Sequence, residues 1–144
     1  MKYGNRLIDV FFYGLFMDAD ALRAKGLNPT NIRTAKINNS ALRIGQRATL
    51  VPSAGSMVWG VAMSLTHAQI DSLYAESTLR AYRPEAVLVH STSGEVFAAL
   101  CFNLIDAPAS DERNPDYAMK LRALAERVGL PAEYVAGITS NRGT

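Results

Sequence analysis

The sequence predicts an α+β domain, a small mixed β-barrel with flanking helices. Three observations carry this expectation. Five strand-like and three helical segments follow in an order that is not a regular strand–helix alternation, which disfavours a doubly wound sheet. The strands are short, and closing them into a barrel hides edges that would otherwise pair with other chains. The chain has 144 residues, enough for one core and no second domain of ordinary size. Residues 1–144 are therefore read as a single domain.

The elements follow in order. Leu7 to Tyr13 is a near-continuous apolar run rich in strand formers and ended by Gly14, the pattern of a strand buried on both faces. Asp18 can cap a helix over Ala19 to Lys25 that Gly26 ends, and Asn28-Pro29-Thr30-Asn31 is loop chemistry. Ala41 to Val51 alternates around Gly45, and Pro52-Ser53-Ala54-Gly55 reads as a turn. Met57 to Leu65 is another strand, with Gly60 marking a bulge or a close backbone contact. Thr66-His67-Ala68-Gln69 fits a capping box, and Ile70, Leu73, Tyr74 and Ser77 then share one helical face. Ala86 to His90 and Val96 to Leu104 flank Ser93-Gly94 as a hairpin. Asn114 caps a last long helix with Pro115 in its first turn, Gly129 ends it, and Pro131 opens a short helical segment through Tyr134.

Composition excludes several classes of function. Apolar residues make up 49% and charged residues 19%, the reverse of a disordered chain. A net charge of +2 gives no strong field toward nucleic acid or anionic membranes. The single cysteine, Cys101, excludes an internal disulfide and any multi-cysteine metal site. A reducing, cytoplasmic setting is the expectation. His67 and His90 are the only histidines, and no metal or cofactor is expected. Lys2 and Arg6 before an apolar run, with Ala19-Asp20-Ala21 after it, faintly resemble a secretory leader. Asp9, Tyr13 and Gly14 interrupt that pattern. No stretch reaches the roughly 18 apolar residues of a membrane span.

Two places could carry chemistry. At Tyr13-Gly14-Leu15-Phe16-Met17 a buried strand runs into glycine and a helix start; such a corner exposes backbone N–H groups able to hold an anion. The plain alternative is a tight turn, which glycine also suits. Glu76 lies three residues after Leu73, on the flank of the apolar stripe and near the helix end. Partial burial and the helix dipole there favour a carboxyl group that can transfer a proton near neutral pH, although glutamates on helices are usually solvated.

Together these features resemble the gamma-glutamylcyclotransferase superfamily, which includes the AIG2-like proteins. Five pieces carry the resemblance, over about residues 8 to 138. They are Tyr13-Gly14 at the end of the first strand, Val58-Trp59-Gly60-Val61 through Leu65, Leu73 with Glu76, Tyr82-Arg83 leading into a strand, and Tyr117 with Gly129-Leu130-Pro131-Ala132-Glu133-Tyr134. The resemblance implies a barrel with a cavity at one end and release of 5-oxoproline from a γ-glutamyl amine or γ-glutamyl amino acid. It implies Glu76 as general base and then acid, an α-carboxylate held at Gly14, Leu15 and Phe16 beside Tyr13, and substrate oriented by Tyr82 and Tyr117. Three positions depart from the pattern. Leu15 stands where Ser or Thr is usual, Ser77 where many members carry Gly, and Leu73-Tyr74-Ala75-Glu76 where Leu-Asp-x-x-Glu is common.

The expected partner is a small-molecule γ-glutamyl substrate, with no nucleic acid, no membrane and room for a homodimer. A catalytically silent ligand-binding module on the same barrel is the alternative. A nucleic-acid-binding barrel, resting on Arg33, Lys36, Arg43 and Arg47, is the third reading, and the low net charge weakens it.

Overall fold

The computed structural model describes residues 6–140; Lys2, part of the leader-like pattern, lies outside them. Five strands form one closed barrel, β1 (Leu7–Phe12), β2 (Thr30–Ile44), β3 (Ala48–Thr66), β4 (Tyr82–Ser91) and β5 (Val96–Leu104), in the order β1-β3-β2-β4-β5. Four helices flank it, α1 (Ala19–Ala24), α2 (His67–Tyr74), α3 (Pro115–Val128) and α4 (Ala132–Ala136). This is the α+β barrel expected.

β1 runs antiparallel to β3, from Leu7 opposite Thr66 to Phe12 opposite Val61, and touches β5 in parallel register at Val10 and Leu100. Val10, Phe11 and Phe12 are all buried, as a strand enclosed on both faces requires. Gly60 is the close contact foreseen: a Cβ there would lie 2.2 Å from the Phe12 carbonyl oxygen and 2.8 Å from the Phe11 ring. β4 and β5 form the expected hairpin, Tyr82 opposite Leu104 through His90 opposite Val96. The seam between β2 and β4 is short, pairing Ala35 with Ser91 and Lys36 with His90.

The middle of the barrel differs from the sequence reading. Ala41 to Val51 is not one strand; the chain reverses at Gly45-Gln46-Arg47, and Ile44 pairs with Ala48. The Asn28–Asn31 loop already contains the start of β2 at Thr30. Cross-strand pairing with β3 overrides the local loop signal. Asn31 and Asn39 absorb the resulting register shifts at positive φ, 52° and 57°, a conformation asparagine tolerates better than most residues. Ser53 to Ser56 is a bulge within β3, and Pro52 to Gly55 is no turn between strands: the register passes from Asn38–Met57 to Ser40–Pro52, and Gly55 N–H donates to Asn39 Oδ1.

Helix ends follow their sequence signals. Thr66 and Gln69 form a reciprocal capping box, Gln69 N–H to Thr66 Oγ1 at 3.1 Å and Thr66 N–H to Gln69 Oε1 at 2.9 Å. Asp18 caps α1, and Asn114 caps α3 through the Tyr117 N–H. Gly129 ends α3 at φ 87°, where its missing side chain avoids strain. Leu22, Leu73 and Leu121 carry the apolar faces of α1, α2 and α3 into the core. Among the described residues, no helix is long and apolar enough to cross a membrane.

Candidate functional site

β1 delivers Tyr13 and Gly14 to one end of the barrel, where the chain turns through a single 3-10 turn, Leu15–Met17. A hydrogen bond across the barrel fixes where Tyr13 points: its hydroxyl donates to the Phe102 carbonyl on β5 at 2.7 Å. Gly14 is needed for space. A Cβ there would sit 2.6 Å from the Tyr117 hydroxyl oxygen, so α3 can press its tyrosine against the corner only because the side chain is missing. The Leu15 backbone N–H faces that same hydroxyl oxygen.

These groups line a cavity of about 290 Å³, at the small end of ligand pockets. Gln46, Arg47 and Ala48 border it from the β2–β3 turn, and Tyr74, Thr78 and Leu79 from the end of α2 and the bend after it. Tyr82 completes the wall, its hydroxyl donating to the Ala48 carbonyl at 2.5 Å. A run of aromatic rings makes the interior stiff. Phe12 meets Phe16 edge-on at 6.1 Å, Phe16 meets Tyr74 edge-on at 6.2 Å, and Tyr74 stacks on Phe102 at 3.8 Å.

Four tyrosines therefore face one small space, and burial raises all of their pKa values. Tyr117 is pushed up to about 12, partly offset by the Leu15 N–H. Tyr13 and Tyr74 are raised further, burial first and the neighbouring Cys101 second. Near neutral pH these hydroxyls stay protonated; Tyr13 and Tyr82 already donate to backbone carbonyls, which leaves Tyr74 and Tyr117 to donate to a ligand. The buried Cys101 thiol is itself pushed up to about 12 by desolvation, then by Glu85, so it is a poor nucleophile.

The cavity thus gathers Tyr13, Gly14, Leu15, Phe16, Tyr82 and Tyr117. Glu76 is not with them, which corrects the expectation of a partly buried carboxyl group on the helix flank. α2 stops at Tyr74, and Glu76 lies beyond it with φ −60° and ψ 139°, no longer following the helical stripe from which its direction was inferred. Its side chain is 46% exposed and pairs with Lys25 Nζ at 2.8 Å. No Asp or Glu among the described residues lines the cavity.

Sequence reasoning missed Tyr74 and Arg47 as pocket residues. The signal for Tyr74 was present. Ile70-Asp71-Ser72-Leu73-Tyr74 keeps the spacing of Leu-Asp-x-x-Glu and carries tyrosine where the glutamate of that pattern stands. Arg47 had been grouped with Arg33, Lys36 and Arg43. The fold separates them: Arg33 pairs with Asp9 at 3.0 Å and covers the Phe97 ring, and Lys36 lies over Trp59. Among the described residues, no cluster of three or more His, Cys, Asp or Glu side chains could hold a metal ion.

A family model described as the AIG2-like family matches residues 57–138. Solved structures resemble the chain over most of its length. A gamma-glutamyl cyclotransferase superposes with a TM-score of 0.78 at 20% identity, covering 96% of this chain and 92% of that one. An uncharacterized protein from Homo sapiens gives 0.76 at 22%, covering 96% and 91%. YkqA from Bacillus subtilis gives 0.74 at 22%, covering 92% of this chain and only 52% of YkqA. At these identities the likeness is one of fold. No curated protein matches the sequence.

Proposed function

Because the chain belongs to the AIG2-like family and has a barrel of the cyclotransferase type, we propose that its aromatic cavity binds one small organic ligand and holds it without glutamate-driven turnover. The observation that carries this reading is the absence of any Asp or Glu among the described residues lining the cavity. Cyclotransfer needs a group that removes a proton from the attacking amine and returns one to the leaving amine. The tyrosine hydroxyls, with pKa values raised by burial, are poor bases near neutral pH. What remains suits binding: a rigid aromatic wall, neutral hydroxyl donors and the backbone of the Gly14–Phe16 corner.

The second reading is an enzyme that releases 5-oxoproline from a γ-glutamyl amine or γ-glutamyl amino acid. In that reaction the substrate's α-amine attacks its own γ-carbonyl, a new C–N bond closes the ring, and the original C–N bond breaks. Glu76 would have to leave Lys25 and swing inward as the proton carrier. Thr78 and Leu79, two and three residues further on, border the cavity, which keeps this reading within reach of one bend.

The test is incubation with a mixture of γ-glutamyl compounds, following 5-oxoproline by mass spectrometry. Binding without 5-oxoproline release is the expected result. Catalytic release that Glu76→Gln abolishes would overturn the binding reading and establish the second.

A further inference from the structure

Arg47 is the one charged side chain among the described residues that line the cavity. It stands in the β2–β3 turn at the cavity edge and is exposed. None of the ion pairs among the described residues involves it. Glu112 is the acid whose charge it feels, but no ion pair among the described residues joins the two, and the Glu112 oxygens face backbone donors. One accepts the Gln46 N–H at 3.2 Å and the other the Ala109 N–H at 2.9 Å. The Arg47 guanidinium therefore keeps its planar fork of donors for something else, and that fork matches a carboxylate.

The other end of a bound molecule meets different chemistry. Phe12, Phe16, Tyr74 and Phe102 offer apolar ring faces and edges. An ammonium group there would lose water and find no carboxylate in exchange, since no Asp or Glu lines the space. Burying an unpaired charge is strongly unfavourable. The tyrosine hydroxyls can accept from the ammonium group, Tyr13 and Tyr82 through the lone pairs left after they donate to the Phe102 and Ala48 carbonyls, but they are neutral and do not offset the Arg47 charge at the same cavity.

We propose that this cavity selects a monocarboxylate with a flat, uncharged, apolar body and no ammonium group, its carboxylate on Arg47 and its body against the Phe16–Tyr74–Phe102 rings. This rests on the reading of the cavity as a binding site and adds the charge class of its ligand. It sets the site apart from one built for free amino acids, in which a carboxylate side chain would face the amine.

Three matched probes test it with the full-length protein: 3-phenylpropionate, L-phenylalanine and phenethylamine, titrated by ligand-observed NMR. They share a phenyl ring on a short alkyl chain and differ in the charged groups carried: a carboxylate, a carboxylate with an ammonium, or an ammonium alone. The expected result is 3-phenylpropionate bound at least about tenfold more tightly than L-phenylalanine, with phenethylamine weakest. Arg47→Gln should weaken 3-phenylpropionate about tenfold or more, as loss of a charge-assisted hydrogen bond does. Arg43→Gln, outside the cavity, should leave it unchanged. L-phenylalanine binding as tightly as 3-phenylpropionate, an Arg47→Gln variant of undiminished affinity, or no binding of any probe at millimolar concentration would each overturn the proposal. Release of 5-oxoproline from γ-glutamyl compounds would instead overturn the silent-module reading, so the two failures are separate.

Discussion

The Gly14 corner and the Glu76 bend reach the same end of the barrel by different routes, and their side chains end differently. The corner is the continuation of a strand held on both sides. The pairing of Phe12 with Val61 and the missing Cβ of Gly60 lock its approach, and the Tyr13 hydroxyl is tied to the Phe102 carbonyl on β5. The bend follows the last residue of a helix. Each helical residue turns the side chain by about 100°, and the first extended residue after the helix breaks that progression. Tyr74, still on the helix, faces the cavity; Glu76, two residues later, faces Lys25. A site residue that rests on strand register is placed by many neighbours, whereas one just past a helix end is placed by its own two dihedral angles.

The strongest way to break the corner is through its support. Gly60→Ala would drive a Cβ into the backbone oxygen of Phe12, and neither strand can yield without moving the barrel. A loss of about 3 kcal/mol is expected, the upper part of the range for overpacking, measured by urea unfolding.

Alkaline titration probes the cavity and the core together. Burial raises the pKa of Tyr13, Tyr74, Tyr82, Tyr117, Tyr134 and Cys101. In the unfolded chain these groups lose their protons near their ordinary values, roughly 8.5 for cysteine and 10 for tyrosine. The folded state holds more protons above those values, so stability is full below them and falls as pH rises toward the folded pKa values. The slope between pH 10 and 11.5 should exceed the roughly 1.4 kcal/mol per pH unit of a single proton. Tyr74→Phe should make it shallower. A flat profile would mean that these hydroxyls are solvated.

Gly14→Ala tests the corner itself and should cost less than Gly60→Ala, because a hydroxyl at the end of a side chain is the obstacle. A loss of about 1 kcal/mol is expected, together with weaker ligand binding. Adding Tyr117→Phe should recover part of the stability, and a double-mutant cycle would read the coupling directly. Strict additivity would remove the steric account of Gly14.

At the bend, Glu76→Gln should change little. The Lys25–Glu76 pair is half exposed on both sides, and such pairs contribute under about 1 kcal/mol. Thermal unfolding should shift by a degree or two at most, and ligand affinity should stay the same. A marked loss of affinity would show that Glu76 reaches the cavity in solution and would erase the contrast between corner and bend.

The same distinction explains what could be read from the sequence. Patterns set by neighbours in the chain were legible: the buried run at Leu7–Tyr13, the Thr66–Gln69 capping box, the Asn114 cap with Pro115, and the space demanded at Gly60 all appear in the structure. The β2–β3 hairpin was not. Asn28–Asn31 and Pro52–Gly55 carry turn residues, and only pairing across β3 turns the first into a strand start and the second into a bulge. Arg47 was equally hidden. Nothing in its own neighbourhood says that a hairpin tip will border a cavity whose other walls lie tens of residues away in sequence. Tyr74 was legible as core and misjudged as only that, because an aromatic residue on an apolar stripe looks the same whether it faces other side chains or a space left for a ligand.

The barrel's two narrow seams give the cavity a mechanical meaning. β1, β3 and β2 are joined by long registers, and β4 and β5 by another, but among the described residues the strand registers between the two groups are short, Val10–Leu100 on one side and Ala35–Ser91 with Lys36–His90 on the other. Phe12 to Phe16 and Gln46 to Ala48 belong to the first group, Tyr82 and Phe102 to the second. A molecule seated among them bridges both and acts as a rivet across the joint. Amide hydrogens at the seams should exchange faster than those inside either sheet, and occupancy should slow them while leaving the long registers unchanged.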